Sequence, residues 1–416
     1  MEVIVERCAA LDVHKDTIMA AVRLPGDKGK RRTEVREFRT WTSSLRELRA
    51  WLVGHGVTQV VMEATGVYWK APWHVLASEP TFELMLANAQ HVKNLPGRKT
   101  DVGDAQWLAQ LLECGLMRGS FVPDPVMSRL RDLTRHRKKL TEERARETQR
   151  IQKLLEDADI KLDSVVSDVL GKGARNMLES LIGGERDVEV LADMALTRTR
   201  ARMPDLRLAL EGGFSEHHAF MLRTHLDHVD HLSAQIAALD ARTEVEIAPF
   251  ARQVERLCTF IGIGRVTAQA VIAEIGVDMG RFPTAAHLAS WAGMCPGNHE
   301  SAGKRRSGKA RKGNAALRSA LIEAGWSASH SRDSYYAAQY QRFRRWFGKK
   351  SESKAIFVVA HSMVITIWHL LAENCDYQDL GSDWFARRND AEHHARRLAH
   401  QIERLGYKVT VEPAAA

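Results

Sequence analysis

The first 122 residues alternate between the two hydrophobic periodicities. Arg7 to Val13 and Thr17 to Leu24 are strand-like apolar runs, split at the polar Asp12-Val13-His14-Lys15-Asp16 junction. Thr33 to Thr40 alternates apolar and polar positions as a half-buried strand does. From Ser43 to His55 the period becomes helical, with Leu45, Leu48, Trp51 and Leu52 on one face, Ser44 placed to cap and Gly54 and Gly56 placed to stop. Gln59 to Met62, ending at Glu63, and Phe82 to Ala87 are short strands, and Asp101 to Leu116 is a helix. The predicted order is three strands, helix, strand, helix, strand, helix, an α/β sheet layout.

From about Pro125 to Phe250 the pattern is helical. Leu133, Leu140 and Leu154 share one heptad position and Leu130 and Ile151 another, although Arg137, Arg144 and Glu147 interrupt the seam. A second run puts Leu222, Leu226, Val229, Leu232, Ile236 and Leu239 on one face. Two long helices packed antiparallel, or against a second subunit, satisfy both runs. The stretch from Gly171 to Met203 gives a weaker helical signal. Further on, Leu257 to Ala268 reads helix, glycine turn, helix, the pattern of a helix-hairpin-helix. There Gly262 and Gly264 would let backbone N–H groups approach a phosphate; an ordinary helix turn is the plainer alternative. The resulting division is 1–122 α/β, 123–250 helical coiled coil, 251–387 mainly helical, and 388–416 a polar tail.

Composition narrows the classes. The chain has 416 residues, enough for two or three domains, with 44% hydrophobic and 27% charged residues, a mix that excludes wholesale disorder. Lys plus Arg exceed Asp plus Glu by 60 to 52, a formal charge of +8 that favours a polyanionic partner. The five cysteines are scattered and form no C-x-x-C pair, so a reducing, cytoplasmic setting is expected, and the charged N-terminus does not read as a secretory signal. Only Ala355 to Ala372 approaches membrane-spanning length; His361, Ser362, Thr366 and His369 within it favour a buried helix and no membrane.

Four carboxylates sit at element ends: Asp12 where the first strand gives way to a turn, Glu63 at the end of a later strand, and Asp101 and Asp104 at the start of a helix. Residues three apart share a helix face, so both aspartates can point back to the strand ends. Hard oxygen ligands from separate elements suit Mg²⁺ or Mn²⁺ and phosphodiester chemistry. Singly, each has a plainer role: Asp12 ending a strand, Glu63 capping the Thr65-Gly66 turn, Asp101 capping its helix. Their joint placement favours the metal site.

LDVHKD around Asp12, VVMEATGVY around Glu63 and KTDVGDA around Asp101 and Asp104 resemble the DEDD transposases of the insertion sequence 110 family. That resemblance, which runs through nearly the whole chain, implies a RuvC-like, RNase-H-like first domain and a C-terminal transposase domain. The family's second signature is matched by Trp291 to Pro296, His299 to Lys304 and Arg311 to Asn314. By resemblance, Ser301 is the nucleophile of a serine recombinase, with Ser307 as its rival in the same segment. A structured bridge RNA would then pair with donor and target double-stranded DNA, in a homodimer or homotetramer. A serine so far along the chain would need a composite site, assembled across domains or subunits. From Ser301 to Arg318 the segment holds Lys304, Arg305, Arg306, Lys309, Arg311, Lys312 and Arg318 and no acid, and Gly303, Gly308 and Gly313 would keep it flexible along a phosphate backbone.

Two other clusters compete. His225, His228 and His231 recur every third residue, which reads as an exposed polar face rather than a zinc site. Tyr335, Tyr336, Tyr340, Phe343, Trp346 and Phe347, mixed with Arg342, Arg344 and Arg345, suit either base stacking or a packed core face. Against the transposase stand a structure-selective endonuclease that uses the carboxylates and water, and a non-catalytic RNA- or DNA-binding scaffold.

Overall fold

The computed structural model describes residues 3–27, 30–63, 66–87, 101–117, 119–297, 299–301, 304–308, 310, 312–348, 351–385 and 391–412. They form two compact units, Met1–Val122 and Pro123–Ala416.

The first unit is built on a five-stranded mixed sheet in the order β3-β2-β1-β4-β5. Its strands are β1 (Cys8–Val13), β2 (Thr17–Pro25), β3 (Arg31–Arg39), β4 (Gln59–Glu63) and β5 (Glu83–Ala87). β1, β2 and β3 pair antiparallel, and β1, β4 and β5 pair parallel. The strand pleat sends alternate residues to opposite faces. Ala9, Leu11 and Val13 of β1 pack with Leu45, Leu48 and Leu52 of α1 (Thr42–Gly54) and Leu76 of α2 (Lys70–Leu76). Cys8 and Ala10 pack on the other face with Ala105, Leu108, Ala109 and Leu112 of α3 (Asp101–Glu113). Small residues on both sides of that second interface let α3 lie close to the sheet, where the Cys8 thiol reaches the Ala109 carbonyl oxygen at 3.5 Å.

The strand and helix order matches the sequence reading, with one local correction. Ser44 does not cap α1. Its hydroxyl accepts the Arg39 N–H at 3.1 Å at the end of β3, while the N-cap is Trp41 with no side-chain bond. The helix therefore starts one residue earlier and gains its stability from its buried leucines.

The second unit begins with α4 (Pro125–Asp157), capped by Asp124, whose carboxylate accepts from the N–H groups of Val126 and Met127. It packs along α5 (Glu216–Ile247), which opens on a Ser215 capping box. Partners run in opposite order along the two helices, from Arg129 with Glu246 through Arg137 with Asp240 to Asp157 with His218, so the pair is antiparallel within one chain. The polar interruptions of the heptad are satisfied here. Buried Arg137 reaches Asp240 at 2.9 Å and Gln269 at 3.0 Å, and buried Glu147 meets His225 Nδ1 at 2.6 Å. His225 thus turns inward to Glu147 on α4, while His228, 3.6 Å from the same carboxylate, and His231, which bonds Gln235, keep the expected exposed face. Between the long helices, short helices including Lys172–Ile182 and Met203–Leu210 close the far end over Ile151, Leu155, Leu222 and Leu226, giving the weakly patterned stretch its own core.

The remaining helices are α6 (Ala251–Cys258), α7 (Arg265–Ile275), α8 (Ala285–Trp291), α9 (Ala315–Ser329), α10 (Tyr335–Phe347), α11 (Glu352–Ala372) and α12 (Ala391–Glu403). α11 is the described helix long and apolar enough to cross a membrane by length and composition, and it buries Ile356, Val359, Met363, Val364 and Ile367 inside the unit. Two of its polar residues have inward partners: Thr366 with the Tyr336 hydroxyl and Ser362 with Gln339, both at 2.9 Å. α12 occupies part of the segment read as a polar tail.

Glu113, 2% exposed at the last turn of α3, accepts from Arg23 of β2 at 2.8 Å and from Arg31 of β3 at 2.5 Å. Burial pushes its carboxyl pKa up, and the bonds and charges of the two arginines more than reverse that, leaving it below the ordinary value. Glu113→Ala is expected to cost about 3–5 kcal/mol, because two half-buried guanidinium groups lose their carboxylate, read as a lowered denaturation midpoint in urea. In the wild type this contribution is complete above the ordinary carboxylate pKa and is lost as pH falls through the depressed value. A mutant that unfolds with the wild-type midpoint at neutral pH would overturn this role for Glu113.

Candidate nucleic-acid-processing sites

The parallel pairing of β1 with β4 matches Leu11 to Met62, so Asp12 and Glu63 occupy the next rung at the carboxyl ends of neighbouring strands. Counting by twos from Cys8 and Ala10, and from Val61, puts both acids on the face covered by α3. Asp12 is 8% exposed and Glu63 half-buried. Neighbouring strands lie about 4.8 Å apart, so two carboxylates on one rung repel unless a cation lies between or beside them. A hydrogen-bonding neighbour stands beside one of them. His14 Nε2 stands 3.2 Å from Asp12 Oδ2, and its backbone N–H closes the β1–β2 turn on the Thr17 carbonyl. His14 was not assigned a role in the sequence; its position two residues after Asp12 in a tight strand turn is the signal that could have found it.

Helix α3 brings the other pair to the same end. Its C-terminal half is fixed beside Cys8 by Ala109 and Glu113, so the helix runs back toward the carboxyl end of β1. From Cys8 to Asp12 a strand advances about 13 Å, and from Ala109 back to Asp101 a helix covers about 12 Å. Residue 101 therefore stands level with Asp12, on the stripe of Ala105, Leu108 and Leu112. The side chain of Asp101 lies outside the described residues. Asp104, one turn further on, is exposed. Among the described residues no group of three or more His, Cys, Asp and Glu side chains is gathered tightly enough to hold a metal ion. What the fold provides is a paired Asp12 and Glu63 edge with the acidic start of α3 beside it. An all-oxygen donor set of this kind suits a hard divalent cation.

The second unit carries the basic segment. Instead of a flexible loop, His299–Ser301 (β6) and Lys304–Ser307 (β7) form an antiparallel hairpin, with Ser301 opposite Lys304, Glu300 opposite Arg305 and His299 opposite Ser307. Ser301 thus stands at the turn end, and Ser307 at the end where the strands join the unit. Arg305 and Arg306 share β7 with Lys304. Lys309 and Arg311 lie outside the described residues, Lys312 is exposed, and Arg318 is half-buried in the first turn of α9.

Gly313 is not a source of flexibility. A Cβ there would lie 2.3 Å from the Gly293 nitrogen and 2.5 Å from the Ala292 carbonyl carbon, so the chain is pressed against the turn after α8. Next to it Asn314 caps α9 and donates to Glu274 at 2.6 Å. Glu274, 2% exposed, also takes Arg135 in a two-bonded pair at 2.6 and 2.8 Å. The segment that follows the hairpin is therefore tied to α4 and α7 by a buried carboxylate that sequence reasoning passed over, since a lone Glu in a helix carries no signal of its partners. Gly262 and Gly264 part company. Gly262 has φ +87° and no room for a side chain against Ala324 and Ala328 of α9, which gives it a packing role; Gly264 stands open before α7.

Residues 9–159 match the DEDD transposase model of IS110. Residues 254–341 match the model described as transposase, IS116/IS110/IS902 family. The first span takes in all four carboxylates and the second takes in Ser301 and the basic segment. No curated protein matches the chain.

Gly313→Ala is expected to destabilise the protein by about 1–3 kcal/mol, the usual range for forcing volume into a packed site. A hinge role would leave stability within about 0.5 kcal/mol, as at ordinary surface positions. Thermal unfolding followed by circular dichroism separates the two outcomes.

Proposed function

From the premise of two transposase segments in one chain, we propose that the protein cuts and rejoins double-stranded DNA as the transposase of an insertion sequence. The observation that carries this reading is the Asp12–Glu63 rung with the acidic start of α3 beside it, inside the span matching a DEDD transposase. The strand order, antiparallel for the first three strands and parallel through the last two, supports an RNase-H-like sheet of the RuvC type. Asp12, Glu63, Asp101 and Asp104 would hold Mg²⁺ or Mn²⁺, which when bound would neutralise charge at a scissile phosphate.

Ser301 is the proposed nucleophile. Its hydroxyl gives up a proton and its oxygen bonds to phosphorus, while one P–O bond of the DNA breaks and leaves a free strand hydroxyl. The phosphoserine ester keeps the bond energy, so attack by another strand's hydroxyl reseals DNA and releases the serine. The register supports this choice over Ser307, since Ser301 lies at the hairpin end opposite Lys304, a cation suited to stabilise a developing negative charge. Lys304, Arg305, Arg306, Lys309, Arg311, Lys312 and Arg318 would neutralise backbone phosphates and so bind without reading sequence. Sequence choice is then assigned to a structured guide RNA encoded by the element, which pairs with donor and target, and the working form to a homodimer or homotetramer. The proposed setting is the cytoplasm, at the nucleoid.

Quenching a reaction midway with denaturant should leave DNA attached to a peptide containing Ser301, and Ser301→Ala should bind DNA without forming the adduct. An adduct on Ser307 would move the nucleophile, and normal cleavage by Ser301→Ala would replace this mechanism with water-driven hydrolysis. The same assay run after RNase treatment should lose activity and regain it when the element's own noncoding transcript is added; indifference to RNase would remove the guide. Asp12→Ala, and separately Glu63→Ala, should reduce cleavage at least a thousandfold (~4 kcal/mol) while DNA binding changes little. Full cleavage in EDTA would eliminate the metal.

A further inference from the structure

Helix α10 divides its aromatic residues sharply. Tyr336 and Tyr340 are buried, with the Tyr336 hydroxyl bonded to Thr366 and its ring 5.2 Å from Phe260. The same helical stripe continues to Phe343 and Phe347, but the partner helix α11 begins at Glu352 and runs antiparallel, so cover ends at the last turn. There Trp346 is 75% exposed and Phe347 38% exposed. Phe343, Trp346 and Phe347 lie nearly parallel, with interplanar angles of 24°, 22° and 3° and ring centres 5.7–5.9 Å apart.

Exposing Trp346 and Phe347, with Phe343 half-buried beside them, costs hydrophobic free energy that folding would normally recover, which suits the patch to a partner. Its surroundings say which kind. From Ser334 to Ser351 the chain has no Asp or Glu, while Arg342, Arg344 and Arg345 accompany the rings. Arg344 pairs with Glu352 at 2.9 Å, and Arg345 donates to its own helix at the Gln341 carbonyl. Arginines at a helix C-terminus also compensate the macrodipole, but that role does not require aromatic rings in water. Like charges on two copies of this surface would repel, which disfavours self-association. Flat rings beside arginines, of which Arg344 alone is matched by an acid and Arg342 lies over the Phe385 ring, suit a strand whose bases are unpaired, because π-faces are available only outside a duplex.

We propose that the last turn of α10 is a stacking platform for single-stranded DNA, with Trp346 as its central ring and Phe343 and Phe347 beside it. The choice of DNA rests on the transposase reading above, in which strand cleavage and exchange release unpaired segments. The platform lies apart in sequence from the basic hairpin and would hold a displaced strand by its bases.

The test is binding of fluorescein-labelled oligo-dT to the full chain by anisotropy, in EDTA, after bound nucleic acid has been stripped by nuclease and high salt. Trp346→Ala should weaken oligo-dT binding about tenfold, the loss of roughly one stacked base. Trp346→Phe should restore most of it, and binding of a matched duplex should change less than twofold. Because no cleavage is measured, this outcome stands or falls independently of the serine and the carboxylates. Unchanged oligo-dT affinity in Trp346→Ala overturns the proposal, as does an equal loss for duplex and single strand. A loss confined to oligo-rU overturns the assignment to DNA. A fall in oligomer size with unchanged oligonucleotide binding would make the patch a contact between copies.

Discussion

The height of one helix on one sheet governs the geometry of the candidate carboxylate site. Glu113 is buried at the end of α3 and bonded to Arg23 and Arg31, which come from two different strands. Cys8 and Ala109 hold the same end at close range. With that end fixed, the length of the helix alone carries Asp101 to the level of Asp12. An ion triad of this kind adds little net stability compared with an apolar core, yet it defines one position, because sliding the helix by a turn would strand a buried charge. The geometry at one end of the sheet is thus specified by charges at the other end.

The second unit uses the same device. Arg137 and Glu147 break the apolar seam of α4, and each is buried with partners on other elements. In a uniform leucine seam, neighbouring registers differ little in energy; two buried charges with single solutions remove that freedom. Glu274 extends the arrangement from α4 through α7 to Asn314, where α9 starts just after the basic hairpin. The hairpin is consequently presented from an anchored base, with Gly313 required by contact and not by mobility.

Positive charge is spread unevenly in a way that bears on function. The two units carry acidic strand ends and a basic hairpin respectively, the first suited to a divalent cation and the second to phosphates. In the described residues Ser301, Lys304 and their neighbours lie on a short ribbon, a shape that can follow a backbone without committing to base edges.

Much of the first unit was legible in the amino-acid sequence, because strand and helix periods are local properties and each element there has an uninterrupted one. The positions of Asp12 and Glu63 at strand ends, and of Asp101 and Asp104 at a helix start, follow from the same local signals. What periodicity cannot report is the partner of each face. The parallel pairing that sets Asp12 beside Glu63 joins residues about fifty apart, and only the closed sheet decides it. Ser44 looked like a cap and ends a strand, because its hydroxyl had a nearer donor in the folded turn. Arg137 and Glu147 read as interruptions of the seam and His225 as part of an exposed face, since a charge announces its need for a partner but not where the partner lies. The aromatic run of α10 shows the division within a single helix: sequence placed Tyr336, Tyr340, Phe343 and Phe347 on one stripe, and the antiparallel course of α11 determined that the first two are buried while cover runs out over the last turn.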